Sequence, residues 1–171
     1  NKMTVTKIYY NNIKDIIDLT NEEKNMISYF AICCDAKVEV KDGEEIRIGD
    51  PTELALIDLN KLYGNDIENI EKIIDLPFDS ERKLMTTVIK KDNKFIEITK
   101  GAPDRVIDLC INANIDKENA LKANTDMANE ALRVLALSIK IFEYLPDINE
   151  LEKEMNFYGL VGMIDPARVE V

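Results

Sequence analysis

Two tight turns constrain this chain more than any other feature. Asp42-Gly43 lies between Val38 and Val40 on one side and Ile46 and Ile48 on the other. Lys91-Asp92-Asn93 lies between Leu84 to Lys90 and Lys94 to Thr99. So short a connection joins antiparallel neighbours, because parallel strands need a crossover of a dozen or more residues. Strict βαβ alternation is therefore excluded.

The rest of the pattern fits around those hairpins. Residues 4–10, 73–78, 133–142 and 157–164 read as further strands. Thr20 and Glu23 form a capping box, which opens a helix carrying Met26, Ile27, Phe30, Cys33 and Cys34 at helical spacing. Asp50 caps a second helix, Pro51 suits its first position, and Gly64 stops it. A short polar helix is expected near 66–72, one from Pro103 towards Ile111, a longer one capped by Asp116, and one over 147–155. Strands with hairpins and interspersed helices predict an α+β fold, a mostly antiparallel twisted sheet flanked by helices. The length, 171 residues without repeats or a flexible linker, fits a single domain over 1–171.

Charge and absent residues narrow the chemistry. The formal net charge is −11, which disfavours general binding to nucleic acid or anionic membrane. There is no histidine, so imidazole catalysis and His-ligated metal sites are excluded. Cys33, Cys34 and Cys110 form no Cys-x-x-Cys pair, and reduced thiols are expected. No apolar run approaches the roughly 18 residues of a membrane span, and no signal peptide is expected in residues 1–20, which mix Lys, Asn and Asp throughout. The chain starts at Asn1 with Met3 just inside, as expected of a piece of something longer.

Four segments place polar groups at strand ends and helix starts: Gly49 to Glu53, Leu76 to Lys83, Lys100 to Asp104, and Leu132 to Ala136. Together they supply the parts of a nucleotide site. Phe78 offers a face for a base. Lys83, Lys100 and Arg133 offer cations for phosphates or a ribose. Glu53 offers an acceptor for an exocyclic amine, and Gly101 lets a ligand approach the backbone. Each also has a plain structural reading. Phe78 can be core, Lys83 a solvated charge run, Glu53 a helix-dipole complement, and Arg133 a surface residue. The two familiar phosphate-cradling loops, Gly-x-Gly-x-x-Gly and Gly-x-x-x-x-Gly-Lys-Ser/Thr, are absent.

In this order the segments resemble the nucleotide-binding domain of type II P-type cation-transporting ATPases, most like bacterial calcium pumps. The matches are Gly49-Asp50-Pro51-Thr52-Glu53-Leu54-Ala55-Leu56, Phe78 to Met85, Lys100-Gly101-Ala102-Pro103, and Leu132-Arg133-Val134-Leu135-Ala136. Residues 1–5 resemble the tail of that family's phosphorylation loop. Residues 165–171, beginning Asp165-Pro166-Ala167-Arg168, resemble the hinge back to its phosphorylation domain. The resemblance covers essentially the whole chain. It departs from the family at Asp104 (for Glu), at Ala167 (for Pro), and at Ser80, where some members place a phosphate-reaching Arg.

The resemblance implies the following roles. Phe78 stacks on adenine, Glu53 contacts the adenine edge, and Lys100 with Gly101 lines the back of the pocket. Lys83 and Arg133 lie towards ribose and phosphates, Leu135 packs near the ribose or base, and Asp165 and Arg168 belong to the hinge. It further implies ATP as substrate, with Mg²⁺ accompanying the nucleotide, and an acceptor aspartate lying before Asn1. The fragment alone should then bind ATP without turning it over. The expected partners are ATP and the phosphorylation and actuator domains of the same full-length chain. No nucleic acid, no direct membrane contact by this fragment and a monomeric state are expected. The whole protein would be a pump of the bacterial plasma membrane, with this domain in the cytoplasm. The alternatives are a fold-retaining interaction module without nucleotide binding, and the same domain from a pump for H⁺, Na⁺/K⁺ or Mg²⁺.

Overall fold

The computed structural model describes residues 2–111 and 117–166. In chain order the elements are β1 (Thr4–Tyr10), β2 (Asn12–Asp15), α1 (Asn21–Ile32), β3 (Lys37–Lys41), β4 (Glu44–Ile48), α2 (Pro51–Tyr63) and β5 (Glu71–Asp79). Then follow β6 (Leu84–Lys91), β7 (Lys94–Gly101), α3 (Pro103–Asp108), α4 (Lys117–Asn129), β8 (Leu132–Phe142) and β9 (Asn156–Ile164). Seven strands form one sheet in the order β2-β1-β9-β8-β7-β6-β5, and β3 and β4 form a separate hairpin. Every neighbouring pair is antiparallel. This is the α+β architecture expected from the two turns. In the first of them Asp42 and Gly43 both have positive φ, the geometry that matches strand twist in a two-residue hairpin.

The sheet is covered on both faces. On one, α1 and α2 pack Met26, Phe30, Leu56 and Leu59 against Ile8, Met85, Ile98, Leu137 and Met163. On the other, α3 and α4 pack Val106, Ile107, Ala123 and Met127 against Leu84, Leu132, Ala136 and Leu160. That double burial explains the apolar run in β9 and the unbroken burial of β6 from Leu84 to Ile89. No described helix is long and apolar enough to cross a membrane. The three cysteines are free and buried.

The helix signals hold where they are strongest. Thr20 accepts from the Glu23 amide at 3.1 Å while Glu23 accepts from the Thr20 amide at 2.8 Å. Asp50 caps α2 by accepting from the Thr52 amide at 2.7 Å.

Two expected helices are absent. Over 66–72 Asp66 accepts from the Glu68 amide at 3.0 Å in a local turn, and β5 already starts at Glu71. Such a side-chain bond offers the backbone an alternative to helix. Over 147–155 only a 3-10 turn forms, Ile148–Glu150. The remaining backbone is taken by long-range partners, since the Met155 amide donates to the Leu109 carbonyl at 2.9 Å and Glu152 has φ of 61°. The helix from Pro103 ends at Asp108, because Cys110 pairs with Met155. The expected cap at Asp116 lies outside the described residues, as does the hinge residue Arg168.

Candidate functional site

One cleft collects residues from all four segments. It is lined by Asp35, Asp50, Thr52, Glu53, Phe78, Met85, Lys100, Gly101, Arg133 and Leu135, and encloses about 230 Å³. Its floor is the end of the sheet where β6, β7 and β8 present Met85, Lys100 and Leu135 on the same face as α2. The first turn of α2 forms one wall, and Phe78 on β5 forms the other.

Local backbone chemistry explains why Phe78 stands where it does. The β5–β6 register shifts between Leu76 and Asp79, so Pro77 and Phe78 together oppose Met85. A bulge of this kind re-aims a side chain. Pro77 is tolerated because β5 is an edge strand, where no partner needs its missing N–H. The turn that follows is tied by Asp79, which accepts from the Glu81 amide at 2.7 Å and, through its carbonyl, from Lys83 at 2.6 Å. The Phe78 ring is consequently 60% exposed, unusual for a large apolar side chain that is not serving a contact.

Lys100 lies at the back of the cleft and is almost wholly buried. Its ammonium donates to Glu53 Oε2 at 2.7 Å, to the Cys34 sulfur at 3.3 Å and to the Cys33 carbonyl. Glu53 Oε1 accepts from the amides of Asp35 at 3.1 Å and Ala36 at 3.2 Å. The pair thus stitches the end of α1, the start of α2 and β7 together. Burial disfavours the ammonium, but the Glu53 carboxylate, by charge and hydrogen bond, outweighs it and holds the Lys100 pKa above its ordinary value. Burial pushes the Cys34 thiol up to about 12, so it stays protonated at neutral pH and Glu53 is the effective counter-ion.

At the mouth, Arg133 is exposed. Burial works against the Asp50 carboxylate. Its bonds from the Thr52 hydroxyl and amide, together with the Arg133 charge, outweigh that and lower its pKa. Two cations therefore face three carboxylates: Lys100 and Arg133 against Asp35, Asp50 and Glu53. With Lys100 committed to Glu53, the interior suits a planar, hydrogen-bonding, uncharged ring better than a polyanion. Of the two cations lining the cleft, Arg133 at the mouth is the one placed to meet negative charge.

Glycine at 101 is required by close approach. A side-chain carbon there would collide with the Lys83 carbonyl and come within 3.1 Å of Leu84 Cα. Gly101→Ala should destabilise the fold by about 1–3 kcal/mol through displacement of the Lys83 turn, readable as a lower urea midpoint.

Of the residues singled out in the sequence, Glu53, Phe78, Lys100, Gly101, Arg133 and Leu135 are brought together in this cleft. Lys83 is not. Its side chain is exposed outside the lining, its φ is 59°, and its carbonyl accepts from the Ala102 amide at 3.2 Å. Asp165 follows directly on β9, at the end of the sheet where Thr4 pairs with Ile164. Sequence reasoning passed over Asp35, Asp50, Thr52 and Met85 as lining residues, although Asp50 and Thr52 lie in a segment it singled out. Met85 had a signal, its place at the end of the matching segment Phe78 to Met85. Asp35 had none, because its place depends on the packing of α1 against α2.

Residues 22–170 match the family model described as P-type ATPase, cytoplasmic domain N. The chain is similar to calcium-transporting ATPase 1 of Bacillus cereus, 36% identical over 100% of this chain and 21% of that protein. It is similar to the calcium-transporting ATPase of Bacillus subtilis, 37% identical over 88% of this chain and 19% of that protein. It is also similar to a probable cation-transporting P-type ATPase of Mycoplasma genitalium, 37% identical over 81% of this chain and 16% of that protein. The chain thus spans about a fifth of the length of these relatives.

Proposed function

The chain belongs to the cytoplasmic N-domain family of P-type ATPases, and from that premise we propose that it is the ATP-binding domain of a cation pump, Ca²⁺ being the transported ion. The observation that carries this reading is the cleft itself, an exposed Phe78 ring opposite a buried, charge-neutralised Lys100–Glu53 pair. Adenine would stack on Phe78, since every base has a π-face and an aromatic platform is worth about 1–3 kcal/mol. The base edge would meet Glu53 and Lys100. The ribose would lie against Leu135, with Arg133 nearest the phosphates. Lys83, exposed beyond the cleft, is free to reach an outward-directed triphosphate.

The remaining chemistry would belong to the longer protein. Mg²⁺ would arrive bound to the phosphates. The domain, turning about its junction at Asp165 and Arg168, would present the γ-phosphate to an aspartate on the phosphorylation domain, with the actuator domain as a further partner. The fragment alone would hold ATP without hydrolysing it. Its place would be the cytoplasmic side of a bacterial plasma-membrane pump. Calcium is favoured over other cations by the names that the Bacillus relatives carry.

A cleft of about 230 Å³ holds a base and part of a sugar, not a cradled triphosphate. Affinity is therefore expected to be weak and to come mainly from the base. Calorimetric titration of residues 1–171 with ATP should give a Kd of about 0.1–2 mM, or roughly −5.5 to −3.7 kcal/mol. Sub-micromolar binding would contradict a base-dominated site, and no heat at millimolar ATP would favour an interaction module that has kept the fold.

A further inference from the structure

A buried polar network lies on the sheet face opposite the cleft. Glu97, on β7, is fully buried. Its Oε2 accepts from the Glu152 amide at 2.7 Å and from Thr99 at 3.3 Å, while its Oε1 has no partner. Thr86 donates to the Glu152 carboxylate at 2.6 Å, and its hydroxyl lies 2.8 Å from that of Thr99, so the single Thr99 hydrogen is shared between Thr86 and Glu97. Glu152 also takes Arg82, whose Nε stands 3.0 Å away and whose Nη2 donates at 3.2 Å. The same Nη2 reaches the carbonyls of Leu84 at 3.0 Å and Pro77 at 3.4 Å. Arg82 thereby clips together the two sides of the bulge that aims Phe78.

We infer that Glu97 and Arg82 are positioning residues, and that the protonation state of Glu97 sets how firmly the Phe78 bulge is held and so how well the cleft binds its nucleotide. This rests on the adenine-site reading above.

The physical case has two parts. Burial pushes the Glu97 carboxyl up to about 7, with the nearby Glu152 carboxylate adding to the rise and the Glu152 amide, Thr99 and Lys140 opposing it. The charged groups facing it are Lys140 directly across on β8, Glu152 from the turn above, and, through Glu152, Arg82 with its own partner Asp79 at 3.7 Å. β6 contributes only uncharged neighbours, Val88 and Thr86. Below its midpoint Glu97 is neutral and the network is at rest. Above it, a second negative charge sits beside Glu152, and an ionised oxygen lies buried without a donor, which is costly.

The segment best able to yield is the turn holding Glu152, whose backbone is left-handed at Glu152 and Glu154, with φ of 61° and 51°. Its movement would withdraw Glu152 from Arg82 and release the bulge. Nucleotide affinity should therefore fall as pH rises through the Glu97 midpoint.

The test uses adenosine, which has no phosphate to titrate in this range, with carboxyl and amide NMR across about pH 5.5–8.5. In the unsubstituted chain the Glu97 carboxyl should titrate near 7, the Phe78 amide should follow the same midpoint, and the adenosine Kd should rise about threefold or more from pH 6 to 8. Glu97→Gln should flatten both responses. Glu152→Gln should lower the Glu97 midpoint and uncouple Phe78 from it, which keeps the inference testable if Glu97→Gln does not fold. A Phe78 amide indifferent to the Glu97 titration, or a pH slope that survives in either variant, would overturn the inference. If adenosine fails to bind at every pH while Phe78 still follows Glu97, the nucleotide reading fails and the coupling stands.

Discussion

Replacing Phe78 by alanine should lower adenine-nucleotide affinity by about 5- to 150-fold, a stacking loss of about 1–3 kcal/mol, while the melting temperature hardly moves. The two halves of this expectation have separate causes. The ring is 60% exposed, so truncating it leaves no cavity in either core. The bulge that carries it is held by Asp79, Arg82 and the Pro77 carbonyl, none of which needs the ring. From a starting Kd near millimolar, such a loss makes binding undetectable in ordinary calorimetry. A Phe78→Ala protein that unfolds early would show the ring to be structural. One that binds ATP normally would remove the adenine platform from the account.

Lys100→Ala should do the reverse and act first on stability. Removing one partner of a buried pair strands the other, typically at about 3–5 kcal/mol. Glu53 keeps its two backbone donors, so the low end applies, about 3 kcal/mol and a melting temperature lower by about 6–12 °C for a domain of this size. Adding Glu53→Gln to Lys100→Ala should recover part of that loss, because the stranded charge disappears; thermal unfolding of both proteins checks it. If Lys100→Ala melted like the unsubstituted chain, the pair would not be the tie between α1, α2 and β7 described above.

These two residues also show what could be learned without coordinates. Both stood out in sequence, Phe78 after Pro77 and Lys100 before Gly101, yet each carried a plain alternative, core residue or strand end. Choosing between them takes the third dimension. The bulge opposite Met85 turns Phe78 outward, and packing of α1 against α2 delivers the Cys33 carbonyl and Glu53 to Lys100. Neither follows from spacing along the chain.

The fold divides in the same way. The turns at Asp42-Gly43 and Lys91-Asp92-Asn93 fix local antiparallel pairs, because a hairpin of two or three residues has almost one solution. The pairing of β1 with β9, Thr4 opposite Ile164, joins the two ends of the chain and has no local cause. Nor was β2 visible, four residues with little alternation. Over 147–155, where a helix was expected, a capping box of Asp147 with Glu150 opens only one 3-10 turn. Demands from Leu109 and Glu97 on the backbone of this segment overrode the rest. Lys83 illustrates the opposite limit, since it lies within a matching motif, yet its backbone serves the turn and it is not among the residues that line the cleft.

The central claim is that adenine binds where Phe78, Glu53, Lys100 and Arg133 converge. A backbone-amide NMR titration of residues 1–171 with ATP, in parallel with AMP and GTP, tests it most directly. Shifts clustered at those four residues, with AMP nearly matching ATP and GTP weaker, are the predicted result. Shifts elsewhere, or none at millimolar ATP, would contradict it.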